Sequence, residues 1–231
     1  MSLLLVPGYM LDETLWDDVA QGLGKFGPLA HADLRHDATI DAMASRALAD
    51  APGNFILIGF SMGGYVAREI VRMAPHRVQA LVLIATSTRP DSPALRQSRG
   101  RVGSAAQSVS FSGLSRTAIA TSLHPKQGGN EALIERVRAM GVRLGGEVFR
   151  RQSALERAGD LDRLHEIRCP TLVIAAGQDR LRSREESDEL HAGIPGADYV
   201  VIEESGHLLP LEAPDAVLAA MLPWLERVAP V

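Results

Sequence analysis

The chain has 231 residues, of which 46% are hydrophobic and 23% are charged, a composition that suits one globular domain with a sizeable core. The formal net charge of −4 excludes a strongly basic surface for nucleic acid or an anionic membrane. The only cysteine, Cys169, cannot form a disulfide within the chain, which fits a reducing compartment. The N-terminal apolar run is too short for a signal peptide, and no stretch approaches the roughly 18 apolar residues of a membrane span. We therefore expect a soluble, cytoplasmic protein.

Six short apolar runs alternate with helical segments along the chain. The predicted strands are residues 3–6, 29–33, 55–58, 80–85, 171–176 and 199–202, and the predicted helices are 14–23, 40–50, 63–73, 183–192 and 214–228. Most runs are continuously apolar, which is typical of parallel strands covered on both faces. The alternation predicts a doubly wound α/β fold with a mostly parallel sheet.

Residues 88–167 interrupt this alternation because they contain no convincing strand. The first part is rich in Ser, Gly and Arg, whereas residues 131–144 and 147–157 have helical periodicity. An insertion of this length is too long for a plain loop. We expect a helical cap at 88–167 over a core formed by 1–87 and 168–231; the alternative is a disordered linker.

The most informative stretch is residues 55–65, FILIGFSMGGY. Gly59, Ser61 and Gly63 form a Gly-x-Ser-x-Gly pattern between a predicted strand and a predicted helix, which is the context of a nucleophile elbow. In such an elbow the serine lies on a tight, strained turn with its hydroxyl exposed. A chance match is the competing interpretation, so the prediction depends on finding the groups that a nucleophilic serine needs.

Both partner groups follow later strands. Asp179 comes shortly after the run 171–176, and His207 follows the run 199–202. The carboxyl ends of parallel strands meet at one edge of a sheet, so Ser61, His207 and Asp179 are expected to form a catalytic triad there. For Asp179 the alternative is a turn residue or helix cap. No histidine pair has metal-ligand spacing, so we expect neither a metal nor another cofactor.

The remaining site predictions concern the oxyanion and the acyl group. The backbone N–H of Met62 follows the nucleophile, and the amide of Tyr9 lies after the first strand; these two are the expected oxyanion donors. Met10, Phe60 and His124 are candidate substrate-binding side chains. The side chains of Tyr9 and Met10 are as well explained by packing within their own loop.

At these residues the chain resembles the α/β-hydrolase superfamily, in the cap-bearing branch of small esterases, lactonases and cofactor-free haloperoxidase-like enzymes. GFSMGG is similar to the elbow of enol-lactonases, RCPTLVI followed by GQD to the segment that carries the acid, and SGHLLPLEAPDAV to the histidine segment. Two features depart from the family pattern. Pro7 stands where a histidine usually supports the oxyanion loop, and the chain begins at the first core strand without the usual leading hairpin. The resemblance therefore implies a shortened sheet of about six strands.

These observations favour a serine hydrolase that cleaves small carboxylic esters or lactones through an acyl-enzyme on Ser61. Carbon–carbon bond hydrolysis, a lyase reaction or acyl transfer would use the same triad, and fold does not choose among them. An acid-binding pocket would favour the first of these rivals, and a set of arginines in the predicted cap leaves it open: Arg96, Arg99, Arg101, Arg143, Arg150 and Arg151. A ligand-binding receptor with little turnover is the alternative from another class. The oligomeric state is left open.

Overall fold

A computed structural model describes residues 2–92, 97 and 111–229. Its strands are β1 (Ser2–Val6), β2 (Leu29–His31), β3 (Phe55–Phe60), β4 (Val78–Ile84), β5 (Thr171–Ala176) and β6 (Asp198–Ile202). They form one sheet in the order β2-β1-β3-β4-β5-β6, and every neighbouring pair is parallel. The prediction of a parallel sheet of about six strands is confirmed.

The helices are α1 (Asp17–Leu23), α2 (Ile40–Asp50), α3 (Met62–Met73), α4 (Arg116–Ser122), α5 (Glu131–Ala154), α6 (Arg184–Gly193), α7 (Leu209–Glu212) and α8 (Pro214–Val228). Short 3-10 helices span Glu13–Trp16, Gly24–Phe26, Pro125–Gln127 and Leu161–Glu166.

Two apolar cores lie on opposite faces of the sheet, because successive side chains of a strand point in opposite directions. Leu3 and Leu5 of β1 pack into the core that includes residues of α1 and α8. Leu4 and Val6 of the same strand pack into the core that includes residues of α2, α3 and α6. Helices thus cover both faces, which explains why the strands are continuously apolar in sequence.

The described part of the predicted cap, residues 111–167, is helical. Its long helix α5 has a non-helical residue at Gly145, where φ is 82° and ψ is 170°. This break lies between the two helical segments predicted from sequence, because a glycine tolerates positive φ without a Cβ penalty. Residues 93–96 and 98–110, including Arg96, Arg99 and Arg101, are outside the described residues. The division into core and cap stays a prediction.

A buried ion pair joins α3 to both ends of the predicted cap, residues 88–167. Arg68 is fully buried, and its guanidinium donates to Asp160 at 2.8 and 2.9 Å and to the Ser87 carbonyl at 2.8 Å. Thr88 and Arg72 also donate to the Asp160 carboxylate, at 2.8 and 3.0 Å. Burial raises the pKa of Asp160, but attraction to Arg68 and these hydrogen bonds outweigh it, so the pKa lies below its usual 3.8.

We expect Asp160→Ala to lower the free energy of unfolding by about 3 kcal/mol at pH 7, because the Arg68 charge would remain buried without its partner. A carboxylate with a lowered folded-state pKa stabilises the protein above its ordinary pKa and loses that contribution as the pH falls through the folded-state value. The difference between wild type and variant in urea unfolding should therefore shrink in acid. Asp162→Ala, which changes an exposed acid two residues away, is the control. Equal stability of Asp160→Ala and wild type at pH 7 would contradict this account.

Candidate active site

Ser61 occupies a strained turn between β3 and α3. Its φ is 52° and its ψ is −114°, a region that residues with a Cβ rarely adopt. The turn is held by hydrogen bonds from the Ser61 N–H to the Ile84 carbonyl, at 2.9 Å, and from the Thr86 hydroxyl to the Ser61 carbonyl, at 2.6 Å. Strand β4 and the residues that follow it therefore fix the serine backbone.

Glycines next to Ser61 allow three segments to meet. A Cβ at Gly63 would lie only 2.5 Å from the Pro7 carbonyl oxygen, and one at Gly64 would lie 2.6 Å from Cβ of Thr86. Neither distance is compatible with a side chain. The Gly-x-Ser-x-Gly-Gly pattern thus permits the start of α3 to pack directly against the loops after β1 and β4.

The structure brings Ser61, His207 and Asp179 together. Ser61 Oγ lies 2.8 Å from His207 Nε2, and His207 Nδ1 lies 2.7 Å from Asp179 Oδ2. With Asp179 ionised, Nδ1–H donates to the carboxylate and Nε2 accepts from the serine hydroxyl. The other carboxylate oxygen accepts the backbone N–H groups of Leu181 and Arg182, at 2.7 and 2.9 Å. All three side chains have the separations expected of a Ser-His-Asp triad.

The loop that carries His207 is held by a half-buried carboxylate that sequence analysis did not identify. Glu212 accepts the backbone N–H groups of His124, Gly206 and Leu208, at 2.6, 3.3 and 2.9 Å. Burial raises the pKa of Glu212 and these three hydrogen bonds oppose the rise. The His207 N–H in turn donates to the Ser122 carbonyl at 2.8 Å, so this loop is tied to α4. An acidic residue shortly after the histidine is the sequence signal that could have pointed to this role.

The two candidate oxyanion donors lie on either side of the serine in the chain. Met62 is the first residue of α3, so its N–H lies at the positive end of the helix. Tyr9 belongs to the loop after β1, and its hydroxyl is 2.7 Å from the Ser153 hydroxyl of α5. Met10, with φ of 55°, donates its N–H to Gln152 Oε1 at 2.9 Å.

Ser61 and His207 open into a cavity of about 560 Å³. Much of its apolar wall comes from the β1 loop, β3, residues 111–167 and the His207 loop: Leu11, Phe60, Leu114, Ile119, Val137 and Leu208. Tyr9 also lines the cavity, as do two arginines that sequence analysis did not single out, Arg157 and Arg182.

Two of the three candidate substrate-binding residues lie away from this wall. Phe60 lines the cavity and also contacts the His207 ring, with 5.2 Å between ring centres. Met10 is buried and packs instead with Val148 and Phe149 of α5. His124 is buried as well, and its Nδ1 accepts the Lys126 N–H, which starts a 3-10 turn. The substrate role predicted for Met10 and His124 therefore gains no support from their positions.

In residues 2–92 and 111–229, no three His, Cys, Asp or Glu side chains gather as a metal site would require. In the same residues, no helix combines the length and apolarity needed to cross a membrane. Burial raises the pKa of the Cys169 thiol to about 11, so it is a poor nucleophile near neutral pH.

Comparisons with known proteins agree with this architecture. Among curated proteins, the pimeloyl-[acyl-carrier protein] methyl ester esterase of Klebsiella pneumoniae subsp. pneumoniae is 34% identical over 41% of this chain and 41% of its own length. The corresponding esterase of Nitrosomonas europaea is 32% identical over 37% of each chain. The matched region thus spans about two fifths of the length of these relatives.

Solved structures match over nearly the whole chain. A thermophilic esterase from Thermogutta terrifontis, in a malate-bound form, superposes with a TM-score of 0.83 at 29% identity, over 99% of this chain and 90% of that one. The enol-lactonase from Burkholderia xenovorans has a TM-score of 0.82 at 19% identity, over 97% and 90% of the two chains, which shows a shared fold. The model of the alpha/beta hydrolase family matches residues 3–220. With the strained serine turn at the end of β3, this match establishes that the chain belongs to the alpha/beta hydrolase family.

Proposed function

We propose that the protein is a serine hydrolase that cleaves small carboxylic esters or lactones through an acyl-enzyme on Ser61. The observation that carries the proposal is the unbroken hydrogen-bonded series from Ser61 Oγ through His207 to Asp179. A hydroxyl becomes an effective nucleophile only when a base takes its proton, and this series supplies the base and its orienting carboxylate.

The proposed reaction has two halves. Ser61 Oγ attacks the carbonyl carbon while His207 Nε2 accepts the serine proton, and that proton then passes to the departing alkoxide. A water molecule, deprotonated by His207, next attacks the acyl-enzyme and releases the carboxylic acid. Asp179 holds the imidazole in position and stabilises its positive charge in both halves.

The negative charge on the carbonyl oxygen requires donors that are already in place. The Met62 and Tyr9 amides are the proposed donors, and removal of such a donor typically costs about 3 kcal/mol of transition-state stabilisation. The first has the additional support of the α3 N-terminus, where peptide dipoles favour negative charge.

Relatives support the ester class. By their names, the matched curated proteins act on a methyl ester of a pimeloyl group, and the Thermogutta terrifontis protein is an esterase. Neither name defines the substrate of this chain, since its match to the curated relatives covers only part of their length. The main rivals are carbon–carbon bond hydrolysis, a lyase reaction or acyl transfer with the same three residues, and a receptor that binds esters with little turnover.

We expect Ser61→Ala to lower kcat for p-nitrophenyl butyrate by at least about 10⁴-fold, since the nucleophile is lost and the cavity is kept. Release of p-nitrophenol measures the rate, and Ser45→Ala, at an exposed serine of α2, is the matched control. Persistent activity in Ser61→Ala would refute the proposal. Wild-type labelling by a fluorophosphonate probe without multiple turnover of any ester or lactone would support the receptor instead.

A further inference from the structure

Two guanidinium groups line the otherwise mainly apolar cavity. Arg182 follows the loop of Asp179 and its side chain is 11% exposed, whereas Arg157, after α5, is 5% exposed. Among the described lining residues there is no Asp or Glu. The two arginines are thus the cationic groups of the described wall.

Each of these arginines is oriented by a carboxylate that is not part of the described wall. Arg182 Nη1 lies 3.3 Å from Glu186 Oε1, and Arg157 Nε lies 3.8 Å from Asp91 Oδ2. A guanidinium has five N–H donors in a planar fork, and the Glu186 contact uses one nitrogen of Arg182. Such contacts lower the cost of burying the cations and hold them in fixed positions, as expected of a preorganised anion site.

We propose that Arg182, with Arg157 as the second cation of the cavity wall, binds a carboxylate of the substrate, so that the preferred substrates are esters that carry a second, ionised carboxyl group. The inference rests on the proposed function, because Ser61 must cleave the ester bond of the bound substrate. Bidentate pairing of a carboxylate with arginine is strong where water is partly excluded. Hydrolysis of such an ester would consume one water and release a carboxylic acid and an alcohol, one of which carries the second carboxylate.

The test compares charged and uncharged esters of similar shape. On the acyl side, monoethyl adipate carries a carboxylate and ethyl hexanoate is its uncharged counterpart. On the alcohol side, 4-acetoxybenzoate carries a carboxylate and phenyl acetate is its uncharged counterpart. We expect wild type to prefer the charged member of one pair by about tenfold or more in kcat/KM, with the preference lost in Arg182→Met and reduced in Arg157→Met. Arg184→Met, at an exposed arginine two residues from Arg182, should keep the wild-type ratio.

The responding pair shows on which side of the scissile bond the charge is bound. Ratios near one for both pairs in wild type, or unchanged ratios in Arg182→Met and Arg157→Met, would overturn the anion site while leaving ester hydrolysis intact. If wild type hydrolyses none of the four esters, the proposed function fails first.

A separate set of contacts concerns the loop that carries the Tyr9 amide. Gln152 of α5 is 1% exposed and bridges two loops: its Oε1 accepts the Met10 N–H at 2.9 Å, and its Nε2 donates to the Leu34 carbonyl at 3.2 Å. The same helix bonds the Asp12 carboxylate through Arg143, at 2.7 and 3.0 Å. With the contact between the Tyr9 and Ser153 hydroxyls, helix α5 therefore fixes the loop after β1 at three points.

From these contacts we infer that Gln152 is a positioning residue for the oxyanion-binding amide of Tyr9. The Met10 φ of 55° sets the direction of the chain next to Tyr9, and its N–H is held by Gln152. Pro7, earlier in this loop, offers neither an N–H nor a polar side chain. Support for the loop thus comes from α5.

Gln152→Leu and Gln152→Glu test this role. The leucine removes both hydrogen bonds, whereas the glutamate keeps an acceptor for the Met10 N–H. We expect Gln152→Leu to lower kcat for p-nitrophenyl butyrate about tenfold and to weaken inhibition by butaneboronic acid by a similar factor, with a smaller change in KM. Gln152→Glu should recover part of both losses.

The boronic acid forms a tetrahedral adduct on the serine, so its affinity reports the oxyanion site rather than stability alone. Lower thermal stability in Gln152→Leu with unchanged kcat and inhibitor affinity would make the residue merely structural and overturn the inference. If Gln152→Leu does not fold, Gln152→Met, which also lacks an acceptor for the Met10 N–H, takes its place: unchanged kcat and inhibitor affinity in that variant refute the role.

Discussion

The strained backbone of Ser61 is the constraint around which the candidate site is organised. A serine at φ 52° is unfavourable by itself, so neighbouring segments must hold it. They do so because glycines at 63 and 64 let the start of α3 approach the loops after β1 and β4. The turn also makes Met62, a proposed oxyanion donor, the first residue of α3, directly after Ser61. The backbone strain and this proposed donor thus belong to the same turn.

Buried and half-buried charges connect residues 111–167 to α3 and to the His207 loop. The Arg68–Asp160 pair joins α3 to both ends of the predicted cap, residues 88–167. Glu212 joins the His207 loop to the backbone of His124, shortly after α4. Each charge is compensated by several hydrogen bonds, which is the condition for a buried ion to be tolerated. The three triad side chains and the wall of the cavity are therefore held by shared contacts. Their relative positions depend both on residues 111–167 and on the elements that those residues contact.

In the proposed function, the residues that react with the ester differ from the residues that select it. Ser61, His207 and Asp179 suit acyl transfer to water whatever the acyl group, since they contact only the reacting atoms. Discrimination must come from the residues further out, where apolar side chains from α4 and α5 meet Arg157 and Arg182. The anion site inferred for this chain stands on its own arginines.

The sequence by itself determined the sheet, the strained turn and the order of Ser61, Asp179 and His207. These follow from local patterns: continuous apolar runs define parallel strands, and parallel strands deliver the residues after them to one edge of the sheet. Only the tertiary structure decided which side chains of the segment 111–167 face the cavity. Gln152 meets Met10 across 142 positions, a pairing that no local pattern encodes. Met10, His124, Arg157 and Arg182 all lie in loops, whose paths are set by tertiary contacts and not by any periodicity of the sequence. Met10 and His124 are therefore buried away from the cavity, while Arg157 and Arg182 line its wall.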